Sequence, residues 1–307
     1  MPNGGIIARG GFPLQLSKAI DTMYCDAGDK VMTQWKEFLH EVAPSKGSSR
    51  VEAELSGLGG LDVVGENGIP EMDIPLEGWQ STRLYIKYGE GFIVTEEMRD
   101  DDFHGKIMAM ASSLGTQTEQ KPNTIGFALL SGGFDTYTTP DSGTPYVFSA
   151  AHYYLDTDEG AQSNLGTAAL SETALQAVHE HFGGLTTHRG DPMPQKLKDV
   201  WVPLELEATA LKLYKGSTVL GSADNDPLTT NPSFGMMSWK PKVGYYLSDA
   251  NNWYALSDNH KASISFKKRA DLRNKDDAAT RSRVYFSTSR FQVFTNDWRG
   301  MYGANVT

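Results

Sequence analysis

The spacing of apolar residues changes several times along this chain, and each change marks an expected element. Val31, Trp35, Phe38, Leu39 and Val42 recur mostly at steps of three and four, which predicts a short helix stopped near Pro44. Ahead of it lies a Gly-rich strap, MPNGGIIARGGF. The stretch SGLGGLDVVGENGIPEMDIPLEG that follows is too dense in glycine and proline for a core element. WQSTRLYIKYGEGFIVT then alternates through Leu84, Ile86 and Tyr88, predicting two strands with a turn at Gly89-Glu90-Gly91. Residues 49–95 together read as one long extended hairpin. A hairpin alone is marginal in water, so a neighbouring copy is its expected support.

At Thr95 the period becomes helical. A T-E-E-M start followed by Asp100, Asp101 and Asp102 places negative charge near a helix N-terminus, where the dipole favours it. Phe103, Ile107, Met110 and Leu114 form one stripe; Pro122 is expected to bend or interrupt the helix before Ile125–Leu130 resumes it and Gly132-Gly133 ends it. Downstream, Ser171–Phe182 reads as a helix ended by Gly183-Gly184, and Val200–Val202 as a short buried strand. Pro203 suits the first turn of a helix, LELEATALKLYK, that runs to Gly216. Strands are expected at Val243–Leu247 and Trp253–Leu256, and Val284, Phe286, Phe291 and Val293 mark a final strand or hairpin. No internal repeat or low-complexity tract appears.

Composition narrows the function classes. At 307 residues the chain can bury a large core, and 39% hydrophobic with 21% charged residues is globular. A formal net charge of -10 argues against tight nucleic-acid binding by the chain as a whole, although an acidic wall can enclose DNA without gripping it. One cysteine, Cys25, rules out an intrachain disulfide and a thiolate zinc cage, and suits a reducing cytoplasm. There is no signal-peptide run and no apolar stretch near the ~20 residues that span a bilayer, so a soluble, unanchored protein is expected.

No catalytic constellation survives scrutiny. His179, His181 and His188 lack the H-E-x-x-H spacing, and histidines two apart on a helix face different ways. Asp100–Asp102 reads as a solvated helix start, and Asp224-Asn225-Asp226-Pro227 as a turn. Gly57-x-Gly59-Gly60 fails the dinucleotide fingerprint, because Asp62 stands where its third glycine belongs. Cys25 beside Tyr24 reads as a packed small residue, and Arg189-Gly190-Asp191 as a tripeptide of a polar loop. No metal, cofactor or enzymatic role is expected. Aromatic residues on loop-like segments, Trp79 and Trp298 above all, instead favour contacts between subunits. The candidate inter-subunit residues are Trp79, Arg83, Tyr85, Trp298, Arg299 and Tyr302.

Several segments, in order, carry a family resemblance. VPLELEATALKLYKGS, then TNP, then YYLSDANNWYALSD, within Pro194–Asp258, resembles major capsid proteins of tailed bacteriophages of the Mu-like major head type. YGEGFIVTEEMRDDD, PYVFSAAHYYLDTDEGAQSNLGTAALSETAL and SRFQVFTNDWRGMYG resemble the same family's start of the spine helix, its loop into the first axial helix and its C-terminal pattern. The resemblance covers roughly residues 80 to 305 and implies an α+β fold of the Hong Kong 97 type. It implies an N-terminal arm at 1–48, an extended loop at 49–95, and a peripheral domain with a spine helix at 96–135. An axial domain at 136–258 and peripheral C-terminal strands at 259–307 complete it. The function implied is self-assembly into pentamers and hexamers of an icosahedral head around double-stranded DNA, built in the host cytoplasm, with portal and decoration proteins as partners and no membrane. The chain shows no long, charged helical leader of the cleaved-scaffold kind, so a separate scaffold or none is expected. A nanocompartment shell of the same fold is the alternative, and an unrecognised enzyme a more distant one.

Overall fold

A computed structural model of the chain describes residues 12–56, 63, 64, 66, 68, 69, 72, 74, 77–101, 104–140, 145–155, 161–215, 239–277 and 280–306. In chain order the elements are α1 (Phe12–Asp29), a 3-10 turn (Gln34–Glu37), β1 (His40–Glu41), β2 (Ser49–Leu55), β3 (Glu77–Leu84) and β4 (Ile86–Val94). Then come α2 (Glu96–Asp100), α3 (His104–Ser131), β5 (His152–Tyr153), β6 (Ala161–Gln162), β7 (Leu165–Gly166), α4 (Glu172–Gly183) and β8 (Leu197–Val202). The rest are α5 (Glu207–Lys215), β9 (Lys240–Val243), β10 (Trp253–Ser257), β11 (Ala262–Lys268), β12 (Leu272–Asp277), β13 (Ser282–Thr295) and β14 (Met301–Ala304). Contacts gather these into two compact units, each discontinuous in sequence: 1–48 with 84–125 and 264–292, and 49–83 with 126–263 and 293–307.

In the first unit, β4 and β12 pair antiparallel with β13, and β11 and β1 extend the sheet. Strand β4 alternates, so Tyr88, Phe92 and Val94 point one way and Lys87, Gly89, Gly91 and Ile93 the other. The inward face buries Val94 and Tyr285 against Ile20 of α1 and Ile107 and Ala111 of α3. Phe92 stacks on Tyr285 with ring centroids 5.2 Å apart. Gly115 sits where α3 crosses α1; a Cβ there would lie 2.2 Å from the Tyr24 carbonyl oxygen.

The second unit is built on the sheet β7-β14-β10-β8-β9. Strands β8 and β10 are buried almost throughout, the mark of a sheet covered on both faces. One face presents Val200, Val202, Trp253 and Ala255 to Leu175, Val178 and Phe182 of α4. The alternate residues meet aromatic rings: Trp201 packs edge-on to Phe127 at 5.3 Å, and Tyr254 lies 5.6 Å from Phe148. Strands β2 and β3 form a separate two-stranded ribbon.

Several sequence expectations hold at the level of elements. Helix α4 starts on the Ser171 cap and ends at Gly183-Gly184, β8 contains the expected buried strand, and a short helix follows Pro203. Gly216, Phe103 and the Gly-rich strap lie outside the described residues.

Other expectations are corrected. The helix lies at 12–29, not 31–42, where a single 3-10 turn stands. Trp35, Phe38 and Leu39 are buried as their pattern implied, but burial comes from a turn pinned by Asn123. The Asn123 amide accepts from the Trp35 N–H at 3.0 Å and donates to the Met32 carbonyl at 2.8 Å. Gly89-Glu90-Gly91 makes no turn: the chain breaks at Tyr85, and both glycines lie inside β4. They are there because β13 comes so close that a Cβ on Gly91 would sit 2.5 Å from the Tyr285 carbonyl oxygen.

Pro122 does not interrupt α3, which is continuous from His104 to Ser131. An interior proline costs about 3 kcal/mol. Phe127, Leu129 and Leu130 on the next turns are at most 1% exposed, and each contributes about 1.5–3 kcal/mol by burial, enough to carry the helix through. The start of this region is instead split, with α2 separate from α3. Strand β9 ends at Val243, because Gly244–Leu247 closes into a turn. The C-terminal apolar alternation is one 14-residue strand.

The Thr95 hydroxyl accepts from the Met98 N–H at 3.3 Å, the cap its sequence position implied. Thr95→Ala is expected to cost about 1 kcal/mol. Thermal unfolding should register it as a fall of about 2–4 °C in midpoint, and an unchanged midpoint would mean that α2 adds nothing.

Candidate assembly surfaces

The ribbon β2–β3 leads to a segment with exposed apolar side chains: Val63, Ile69, Met72 and Ile74 are all more than three-quarters exposed. Its base is fixed to the body of the second unit at three points. The Arg83 guanidinium donates to the Thr295 carbonyl at 3.0 Å and the Thr138 carbonyl at 3.1 Å. Burial lowers the Arg83 pKa, and nearby Glu52 partly offsets that. Arg189 donates to the Ile74 carbonyl at 2.8 Å and reaches Ser56 Oγ at 3.5 Å. The tripeptide that reads as an incidental motif therefore supplies a clamp on both sides of the hairpin.

The third point is a column of rings. Trp79 meets His188 edge-on at 6.4 Å, and Arg299 lies 3.3 Å from His188 Nε2. The Arg299 guanidinium sits 4.9 Å over Trp298, whose ring stacks on His152 at 4.4 Å and 12°. Arg299 also donates to the Thr186 carbonyl at 2.8 Å and pairs with Asp297 at 3.2 Å. His152 Nε2 lies 3.0 Å from Asn164 Oδ1, which closes the column.

Of the six candidate residues, the structure brings Trp79, Trp298 and Arg299 into this one column. Trp298 is 1% exposed, Arg299 3% and Tyr85 4%, so their side chains are engaged inside the subunit. Trp79, Arg83 and Tyr302 are half-buried. In the first unit, the Tyr85 hydroxyl accepts from the Ser45 N–H at 2.9 Å and meets Ser265 at 3.1 Å. Tyr302 packs on Trp253 at 6.0 Å and His181 at 5.5 Å, and burial raises its pKa. Reading the sequence missed His152, Asn164 and His188 as members of the column, since isolated polar residues in loops carry no periodic signal.

Among the described residues, no group of three His, Cys, Asp or Glu is placed to hold a metal ion, and no helix is long and apolar enough to cross a membrane. His181 is pressed among Phe182 and Tyr302, and burial lowers its pKa. The unfolded chain takes up a proton there near pH 6.5, while the folded state resists it. The unfolded state therefore binds more protons below about pH 6.5, and stability falls as pH drops through that value towards the folded pKa. His181→Gln is expected to flatten the decline of the melting temperature below about pH 6.5, and an unaltered slope would count against this role.

A sequence profile of the family described as phage capsid protein matches residues 86–304, well over half of the chain. A comparison with curated protein sequences finds no significant match. Among solved structures, the chain is similar to the capsid of a native GTA particle, with TM-score 0.56 and 12% identity over 91% of each chain. It is also similar to the capsid of Ralstonia phage GP4, with TM-score 0.56 and 11% identity over 88% of this chain and 87% of that one. A virus-like particle from Pyrococcus furiosus gives TM-score 0.52 and 10% identity over 94% and 98%. At such identities these likenesses establish the fold, which is the α+β capsid fold of the Hong Kong 97 type. With the family match, the hairpin and its anchored base acquire their context: the chain belongs to the phage capsid protein family and has the structural role of a tailed-phage major capsid protein in the virion shell.

Proposed function

We propose that copies of this chain close as pentamers and hexamers into an icosahedral head around double-stranded DNA, assembled in the host cytoplasm. The observation that carries this is the hairpin. Val63, Ile69, Met72 and Ile74 are exposed on an element whose contacts with its own subunit, among the described residues, include those at Arg83 and Arg189. Burying four such side chains against a neighbour would contribute on the order of 6 kcal/mol per subunit, and symmetry multiplies the contact around each ring. In this reading residues 1–48 are the arm, 49–95 the extended loop, 96–135 and 259–307 the peripheral domain, and 136–258 the axial domain. Trp79, Arg83 and Tyr302, half-buried in one subunit, are the candidates of the original six with surface left for a neighbour. A portal is the expected partner, and whether decoration proteins or a separate scaffold join it is left to co-expression with the neighbouring structural genes. A nanocompartment shell is not favoured, because the matching family is a phage capsid family.

The test is negative-stain electron microscopy and size-exclusion chromatography of the chain, expressed alone and with the neighbouring structural genes. Closed shells, pentamers or hexamers are the expected result. A monomer that persists at high concentration under both conditions would overturn the reading. With a net charge of -10, empty shells should hold duplex DNA only weakly at moderate salt.

A further inference from the structure

We propose that the first unit holds a binding site for a small oxyanion of the phosphate or sulfate type, in the cleft between α3 and the β4–β13 pair. The site belongs to a single subunit and stands apart from the assembly reading. Its cleft, about 280 Å³, lies just below the roughly 300–1,000 Å³ of a drug-sized pocket, so it suits an ion or a very small molecule. Tyr88 on β4, Gln117, Thr118 and Lys121 on α3, and Ser287 and Ser289 on β13 line it.

The cleft exists because two serines interrupt an aromatic face. Side chains alternate along β13, so Tyr285, Ser287, Ser289 and Phe291 share the face that meets α3. Tyr285 is buried against Ile107 and Ala111 of α3, and Phe291 packs against Tyr88 with ring centroids 4.8 Å apart. Between these two aromatic contacts β13 presents Ser287 and Ser289, and α3 answers with polar side chains that leave the gap open.

What the gap offers is mainly hydrogen-bond donors. Among the described residues Lys121 meets no carboxylate; its ammonium, with three N–H groups, lies 5.2 Å over the Tyr88 ring. Ser289 is only 7% exposed, and its hydroxyl has no partner among the described residues. Ser287, 2% exposed, shares a hydrogen bond of 2.8 Å with the Tyr24 hydroxyl, and when Tyr24 donates the serine keeps its own proton for the cleft. Thr118 spends its proton on the Leu114 carbonyl at 2.7 Å, while the Gln117 amide adds two further N–H groups. An ammonium, an amide and serine hydroxyls around one small space match the charge-assisted bonds an oxyanion accepts. Glu90 also borders the cleft, but a lone carboxylate sharing it with an ammonium falls short of the roughly six oxygen ligands a hard cation takes.

The experiment titrates inorganic phosphate into the purified full chain, with chloride holding the ionic strength constant. A Kd of about 1 mM makes about 50 mM phosphate shift the folding equilibrium about fiftyfold, a rise of about 5 °C in melting midpoint. Lys121→Met keeps the reach over Tyr88 without the charge, and Ser289→Ala removes the buried hydroxyl; each is expected to lose most of that rise. Phosphate also stabilises proteins by exclusion from their surface, which moves all three chains alike. Equal rises in the wild type and both variants would therefore overturn the site. Phosphorus NMR reads binding without reference to stability: the phosphate line should broaden with the wild type and sharpen again with either variant. Unchanged broadening in both variants would overturn the assignment to this cleft. Adenosine monophosphate at the same concentration separates a free anion from a nucleotide, and a larger rise with the nucleotide would overturn the free-anion reading. None of these outcomes bears on shell formation, so the capsid reading stands or falls separately.

Discussion

Gly115→Val is expected to cost about 3–5 kcal/mol and to separate α1 from α3. A Cβ at Gly115 would lie 2.2 Å from the Tyr24 carbonyl oxygen, 3.1 Å from its carbonyl carbon and 3.2 Å from its Cα. All three are backbone atoms, so no rotamer change relieves the overlap and α1 must move bodily. Overpacking alone costs about 1–3 kcal/mol. The shift also loosens Ile20, which is fully buried between these helices and the sheet, and strains the same crossing at Gly28, where a Cβ would lie 3.1 Å from Glu119 Cγ. Gly105 in the same helix is the control. Nothing lies within 4 Å of a Cβ there, so Gly105→Ala should be neutral or stabilise by up to about 1 kcal/mol. Denaturant unfolding should show a large loss for Gly115→Val and none for Gly105→Ala, and equal effects would remove the close crossing from the account.

The second large effect is expected at Asn164, which is fully buried and uses both ends of its side chain. Its amide donates to the Val147 carbonyl at 2.8 Å and the Met301 carbonyl at 3.0 Å. Its carbonyl oxygen accepts from the Ser149 N–H at 2.9 Å and faces His152 Nε2 at 3.0 Å. Asn164→Leu keeps the volume but strands these partners, at about 1–3 kcal/mol for each group left unsatisfied. A total of about 4 kcal/mol is expected, less than the sum because the loop around residues 147–152 can relax. Asn164→Asp should be as damaging at neutral pH, since a carboxylate faces two carbonyl oxygens, and milder at low pH, where a protonated oxygen can donate to one of them. Hydrogen exchange supplies the local readout: the Ser149 amide, whose N–H donates to the Asn164 side-chain oxygen, should lose protection first, followed by Gly303, whose N–H donates to the Asn164 backbone carbonyl at 3.1 Å. Uniform loss of protection across the unit would show a global effect instead.

The column Trp79–His188–Arg299–Trp298–His152 shows why assembly residues are hard to read from loops. Trp79 and Trp298 stood out as large aromatics in polar, turn-rich surroundings, which is also the signature of interface anchors. What distinguishes a subunit's own packing from an interface is whether another segment arrives to cover the ring. For Trp298 the cover is His152, nearly 150 residues away, and the ring is 1% exposed. Arg189 teaches the converse. Its tripeptide has no periodic neighbour, yet it holds both sides of the hairpin base.

Local chemistry was enough to determine the elements whose signals are local. Helix α4 has a serine cap, an apolar stripe and a double-glycine stop; β8 has a run of apolar residues before Pro203; the Thr95 cap is read from its position. The α+β class and the family also stood in the residues, since ordered motifs survive where overall identity falls to about a tenth. Tertiary structure decided what depends on distant partners. Gly89 and Gly91 look like a turn until β13, some 200 residues later, pairs alongside them and demands bare backbone. Trp35, Phe38 and Leu39 look helical until Asn123 bonds their turn. Pro122 looks like a break until the burial of the following turn outweighs its lost hydrogen bond. In each case a short-range preference of a few kcal/mol or less is set against long-range burial and pairing of equal or greater size, and nothing in the local sequence records where that partner will come from.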